Sequence, residues 1–369
     1  MDFTFTDEQR MMARTFREFG AKSCPPSRLR AIAEGGGSQA GLPGGGLRDR
    51  ASCASDTCWP QLVELGFPSM LAPPSHGGLG LGSIDFVLIA EEAGRAALPE
   101  PLVEHAGIAV PALAELLSHP RASGLFEAVA TGQTRIAIGH PTNPFVLDAA
   151  RANSLLLVST DEIHLVERSR ARLTHQPSID PLRALYKVEA LLDESTLVAH
   201  GQVAQRVGQR VLAWGALYCA AQLLGLCARM IDLAVAYARE RKQFDRPIGS
   251  YQAIQHQLAT ARVKLEFARP VVYAAATRVG SLDERAEAAV SHAKLAAADA
   301  ADVAARTALQ VHGAMGYSWE VDLHFYMKRA WALMGAWGDP AFHLHRLSTL
   351  LLEDKLALGP GHTFDLTGR

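Results

Sequence analysis

The sequence predicts an α+β protein, mainly helical. It reads as an N-terminal helical domain over residues 1–123, a small β domain over 124–205 and a C-terminal four-helix bundle over 206–369. Three observations predict this. Apolar residues recur at helical spacing at both ends of the chain, and a middle region carries short β-prone runs separated by turn residues. Ala-rich stretches such as Ala297 to Ala305 favour close helix contact, as in a bundle. With 369 residues the chain can bury a sizeable core and divide into two or three structural units.

Each element has a local reason. Thr6 with Gln9 forms a capping-box pattern, and Met11, Met12, Phe16 and Phe19 follow at helical spacing, so a helix starts near residue 6. Residues 34–56 are rich in Gly, Ser and Ala and read as a mobile surface loop. A helical segment from Trp59 to Leu65 leads into a glycine run ending at Gly82; no strand precedes it, which argues against a Rossmann-type fingerprint. Helices resume from Ile84 to about Ala96 and from about His105 to Leu117. The runs starting at Arg135, Ser154, Glu162 and Leu185 read as strands. From Gln205 the pattern is helical over about 206–242, 251–279, 283–313 and 322–356. Pro247-Ile-Gly249 breaks the first of these from the second, and Gly280-Ser-Leu-Asp283 caps the third.

The bulk properties exclude several classes. A net charge of −2 and a pI near 6.7 give no electrostatic reason to expect nucleic acid or an anionic membrane as partner. No uninterrupted apolar run reaches the ~18 residues that span a bilayer. The opening Met1-Asp-Phe-Thr-Phe-Thr lacks both the basic and the apolar stretch of a signal peptide. Five irregularly spaced cysteines point to reduced thiols and a cytoplasmic location. Cys53 and Cys58 have no second Cys or His pair at ligand spacing, so no metal is expected. His312, His324, His343 and His345 lack helical spacing to a partner carboxylate and read as core or surface histidines.

Two motifs carry chemistry. Tyr237-Ala-Arg-Glu-Arg-Lys-Gln-Phe-Asp-Arg-Pro-Ile-Gly249, followed by Gln252, resembles the flavin-anchoring pattern Y-x-x-x-R-x-Q-F-G-x-P-I-G-x-x-Q of the acyl-CoA dehydrogenase family. Gln310-Val-His-Gly-Ala-Met-Gly-Tyr317 resembles that family's second flavin motif, at the expected distance. Ala90-Glu-Glu-Ala-Gly-Arg95 and Glu320-Val-Asp-Leu-His-Phe-Tyr-Met-Lys-Arg-Ala330 are similar to other family segments. The resemblance implies an FAD bound between subunits and an acyl-CoA thioester as substrate, with electrons passed to an electron-transfer flavoprotein. It assigns Arg241 to the pyrophosphate of a flavin held mainly by a neighbouring subunit, a task that suits the fixed donor fork of a guanidinium. It places Gln243 and Phe244 around the same cofactor and Gln310 near its adenosine–pyrophosphate region. Gly313 and Gly316 match glycines that let backbone approach the dinucleotide.

The chain departs from the pattern at four points. Asp245 replaces the glycine after Phe, and Gly313-Ala314 replaces a glycine pair. Between Gly132 and Asp161 no Thr-Glu-Pro-like segment is found, so the β domain looks shortened. The fourth concerns the base. Removing the α-proton of a thioester needs a carboxylate within hydrogen-bond reach in a dry pocket. The position matching the family's usual glutamate falls at Gly338, beside Asp339, and the alternative position falls near Gly215. No Asp or Glu occurs between Gln202 and Met230. Asp339 therefore reads either as a displaced base or as a turn or helix cap before Pro340. Three expectations follow. The chain is the base-lacking partner of a heteromeric α2β2 acyl-CoA dehydrogenase of the steroid side-chain type, a self-sufficient homotetramer using Asp339, or a non-catalytic scaffold of the same fold.

Overall fold

The computed structural model describes residues 4–35, 58–281, 283–353 and 356. Most of the loop expected over 34–56, and the C-terminal tail, lie outside the described residues. The first helix, α1 (Asp7–Ser23), starts as its capping box dictates: Thr6 Oγ1 accepts from Gln9 N at 3.2 Å and Gln9 Oε1 accepts from Thr6 N at 2.9 Å. After α2 (Pro26–Gly35) and α3 (Trp59–Glu64), the glycine run forms a loop rather than a strand and leads into α4 (Ser83–Arg95). A π-helical turn (Val103–Ala109) precedes α5 (Val110–Ala114), so this helix begins before the expected His105. The helix α6 (Pro120–Ala130) spans residue 124, and the first strand begins only at Ile136.

The middle region is all β. A four-stranded sheet in the order β1 (Ile136–Gly139), β3 (Ser154–Val158), β4 (Glu162–Glu167), β7 (Leu197–His200) lies with a three-stranded one in the order β2 (Val146–Leu147), β6 (Leu185–Ala190), β5 (Ala171–Gln176). The four runs expected as strands are β1, β3, β4 and β6. The other three were not anticipated, for reasons visible in the sequence. Val146–Leu147 is two residues long, Ala171–Gln176 is largely polar with a partly exposed face, and Leu197–His200 runs without a break into a helix.

The rest is helical. The helix α7 (Gly201–Glu240) is followed by a hairpin of β8 (Lys242–Gln243) and β9 (Arg246–Pro247). Then come α8 (Gln252–Ala276), α9 (Glu284–His312), α10 (Leu323–Gly335) and α11 (Pro340–Leu352). The expected fourth bundle helix is thus two helices, broken at Ala336–Asp339, where Trp337 and Gly338 adopt positive φ of 57° and 90°. By length and composition α7 could cross a membrane, but its most apolar 18-residue stretch is 89% buried, because α4, α9 and α10 surround it. Two glycines set the α4–α7 crossing. A Cβ built on Gly225 would lie 1.8 Å from the Glu91 carbonyl oxygen, and one on Gly94 would lie 2.1 Å from the Gln222 carbonyl oxygen. The backbones therefore touch directly, which accounts for Gly94 in the Ala90–Arg95 segment.

Candidate functional site

Both motifs end up at one end of the bundle. The Tyr237 ring of α7 stacks on the His312 ring of α9, with centroids 4.4 Å apart, and this contact joins the end of one motif helix to the end of the other. Arg241 follows as the C-cap residue of α7, exposed, and it forms no ion pair among the described residues. The hairpin beyond it pairs Lys242 with Pro247 and Gln243 with Arg246, leaving Phe244 and Asp245 as a two-residue turn. Both turn residues have positive φ, 51° and 64°, as a type I′ hairpin turn requires. Asp tolerates that conformation, which explains how Asp245 can stand where the family has glycine. Phe does so at a cost, and its ring is 88% exposed. Tyr251 supports the turn from below, its hydroxyl donating to Gln243 O at 3.1 Å and its ring 4.1 Å from the Arg246 guanidinium. Gln310 and Gly313 are exposed, and a side chain at Gly313 would meet open space. Gly316 is different: it is buried, and a Cβ there would lie 3.0 Å from the Leu309 carbonyl oxygen, so the close approach it permits is to α9 itself.

The interior site is built around the break between α10 and α11. Trp337 is buried, and its indole lies on Gly215 of α7; a Cβ at Gly215 would fall 2.2 Å from Trp337 Cδ2. A Cβ at Gly338 would fall 2.4 Å from the Phe342 ring and 2.7 Å from His343 Nε2. With Trp337 packed on Gly215, and Phe342 and His343 packed on Gly338, neither expected base position has room for a glutamate side chain unless these rings move. Asp339 is exposed and acts as the N-cap of α11, its Oδ1 accepting from Phe342 N at 2.8 Å. An exposed capping carboxylate does not meet the requirement for a dry pocket.

Two residues not singled out from the sequence hold this arrangement. Lys294 of α9 is fully buried, and its Nζ donates to the carbonyls of Leu333, Met334, Ala336 and Gly338 at 2.8 to 3.1 Å. Three ammonium protons are shared among four oxygens at the negative end of α10, so one cation closes a helix C-terminus and fixes the Trp337 loop. Burial pushes this lysine's pKa down. The signal was available: Lys294 occupies a core-facing position among Val290, Ala293, Ala297 and Ala301, where an alanine would be ordinary. Asn143, in the short segment between β1 and β2, accepts from Trp337 N at 2.8 Å. Beside Asn143 and Trp337 lies a cavity of about 150 Å³, also lined by Glu104, Ile138, Phe145 and Arg183, with Glu104 and Arg183 paired at 3.6 Å.

Burial of His343 and His105, as of His140 and His324, predicts an acid-sensitive fold. His343 accepts or donates at Nδ1 to Ser291 Oγ at 3.2 Å, and its Nε2 lies 2.9 Å from the Trp337 carbonyl. His105 sits between the Val129 carbonyl and the Ile136 amide. Burial lowers both from 6.5 to about 4. Between these values the unfolded chain takes up protons that the folded protein does not, so stability falls as pH drops from about 6.5 toward 4. Going from pH 7 to pH 5 should remove about 2 kcal/mol per histidine. Urea melts at the two pH values test this, and His343→Asn should shrink the difference; equal midpoints at pH 7 and 5 would contradict it.

Sequence comparisons match residues 6–132 to the acyl-CoA dehydrogenase N-terminal domain and residues 205–346 to the acyl-CoA dehydrogenase C-terminal domain. The acyl-CoA dehydrogenase IpdE2 of Mycobacterium tuberculosis is 29% identical over 345 residues, covering 89% of this chain and 99% of its own. Among solved structures, the ChsE4–ChsE5 complex from Mycobacterium tuberculosis aligns with a TM-score of 0.77 at 24% identity, covering 96% of this chain and 99% of that one. A variant of the Tcur3481–Tcur3483 steroid ACAD aligns with a TM-score of 0.76 at 21% identity, covering 95% and 99%. At these identities the two structures establish a shared fold.

Proposed function

Because this chain is a member of the acyl-CoA dehydrogenase family, oxidoreductases acting on the CH–CH bond of acyl-CoA, we propose that it works as one subunit of a heteromeric enzyme. A second, related chain supplies the catalytic glutamate. The observation that carries this reading is the Trp337 indole on Gly215, with Gly338 closed by Phe342 and His343: both positions for a base are sterically shut.

The residues present fit FAD in one place and not in the other. A cavity of about 150 Å³ beside Trp337 is too small for a three-ring isoalloxazine, which needs a pocket of roughly 300 Å³ or more. The surface formed by Arg241, Gln243, Phe244, Gln310 and Gly313 does fit a cofactor seated mainly in a neighbour. It offers an uncompensated guanidinium for a diphosphate, an open backbone at Gly313 and an exposed aromatic turn. FAD held there supplies the acceptor for the hydride that leaves the β-carbon. This chain's own residues bind and orient: Arg241 neutralises the diphosphate, Phe244 excludes water from it, and the Tyr237–His312 stack keeps the two motifs in register. The substrate we assign is a bulky, steroid-like acyl-CoA thioester, with an electron-transfer flavoprotein as acceptor. The ChsE4–ChsE5 and Tcur3481–Tcur3483 structures, each named for two different chains, support this reading.

The test is a visible absorbance spectrum. The chain purified alone is expected to be colourless and inactive, and co-expression with a related chain carrying the glutamate should give a yellow, active complex. Arg241→Ala should deplete flavin from that complex without dissolving it. One FAD per chain in the lone protein, with turnover, would overturn the proposal.

A further inference from the structure

A second cavity, of about 190 Å³, lies between α1, α2, α4, α7 and α10, and the function proposed above makes no use of it. Three guanidiniums line it: Arg17, Arg95 and Arg229. Two of them are neutralised. Arg17 reaches Glu92 with Nε at 3.0 Å and Nη2 at 2.5 Å, and Arg95 reaches Asp232 at 2.5 Å. The half-buried Arg229 is not: it forms no ion pair among the described residues and lies over the buried Tyr326 ring, its guanidinium carbon 5.4 Å from the centroid. From Gly215 to Arg229 is roughly 21 Å along α7, so this site is separate from the Trp337 region.

We propose that this cavity binds a small organic oxyanion, a carboxylate or phosphate monoester, through Arg229. Counting Arg17, Arg95, Arg229, Glu92 and Asp232, the wall carries one uncompensated positive charge. A cation held partly out of water against an aromatic face gains from a counter-anion that makes charge-assisted hydrogen bonds. The contact with the Tyr326 face holds the guanidinium at the cavity wall while its N–H groups remain free to donate to an anion. The remaining wall is apolar, formed by Ala21, Pro25, Pro26 and Ala96, and the volume exceeds what a bare tetrahedral anion fills. That combination suits a head group attached to a small apolar body. Arg17, whose side chain is 61% exposed, stays bonded to the buried Glu92, so an anion at Arg229 need not displace that carboxylate's partner.

Phenyl phosphate, benzoate and inorganic phosphate, titrated calorimetrically into the purified full-length protein at constant ionic strength, test this. At least one of the two aromatic anions should bind saturably at one site per chain and more tightly than inorganic phosphate. Whichever of them binds tighter identifies the head group. Arg229→Gln should weaken that binding at least tenfold with the thermal midpoint unchanged, and Arg229→Lys should retain part of it. No saturable binding, or equal affinity in the wild type and Arg229→Gln, would overturn the proposal. Crystals of the unmodified protein soaked in p-bromobenzoate give a measurement independent of any variant: anomalous bromine density beside Arg229 supports the site, and its absence there rejects it.

Discussion

Replacing Gly225 by alanine is expected to cost about 3 kcal/mol, near the upper end for overpacking a core. The added methyl would lie 1.8 Å from the Glu91 carbonyl oxygen and 2.5 Å from the Arg95 amide nitrogen. Both are backbone atoms in the C-terminal part of α4, so no side chain can swing aside, and the two helices must separate. Separation opens voids around residues such as Phe86, Leu223 and Leu224, which are fully buried. A loss of this size is a large share of the 5–15 kcal/mol typical of a folded protein. Denaturant unfolding of Gly225→Ala measures it. Gly94→Ala strains the same crossing from the other helix, 2.1 Å from the Gln222 carbonyl, so the double variant should lose less than the sum of the singles. Full additivity, or an unchanged midpoint for either single variant, would mean the backbones do not meet as described.

Lys294→Met should produce a comparable loss, again about 3 kcal/mol, by a different mechanism. Methionine keeps most of the length and apolar stem but supplies no proton, so the carbonyls of Leu333, Met334, Ala336 and Gly338 lose a shared donor inside the core. Cys219 Sγ, 3.0 Å from Leu333 O, is too weak a donor to compensate. Gly338 adopts positive φ freely, but Trp337 holds it at a cost that this cation and the Asn143 acceptor offset by fixing the loop. The effect should therefore be local as well as global. Amide exchange over residues 333–338 should accelerate more than in the adjacent helices. Unchanged midpoint and unchanged exchange would show that the four carbonyls are satisfied without Lys294.

Much of the fold could be read in the chain because its signals are local. The Thr6–Gln9 capping box, the Asp283 cap whose Oδ1 accepts from Ala286 N at 2.7 Å, and the break at Pro247-Ile-Gly249 each depend on a few neighbouring residues. The same holds for the surface proposed to meet the cofactor, where Arg241, Gln243 and Phe244 lie on one short run and only Gln310 and Gly313 come from elsewhere. The edge strand Ala171–Gln176 gives no strand signal because, apart from the buried Ala171 and the half-buried Leu173, its residues are polar, which is also what a loop looks like.

By itself, then, the sequence determined the helical and β regions, the family, the two motifs and the absence of a carboxylate at Gly215 and Gly338, since each is a matter of residue identity at a known spacing. The tertiary structure decided the rest. It alone brought Trp337 onto Gly215, 122 positions away in the chain, and turned two missing carboxylates into two closed positions. It alone made Lys294 the clasp of a loop and left Arg229, among the described residues, without an ion pair beside a cavity. The physical reason is common to all three: which atoms occupy a buried volume, and which charge remains uncompensated there, depends on side chains that meet only after the helices have packed.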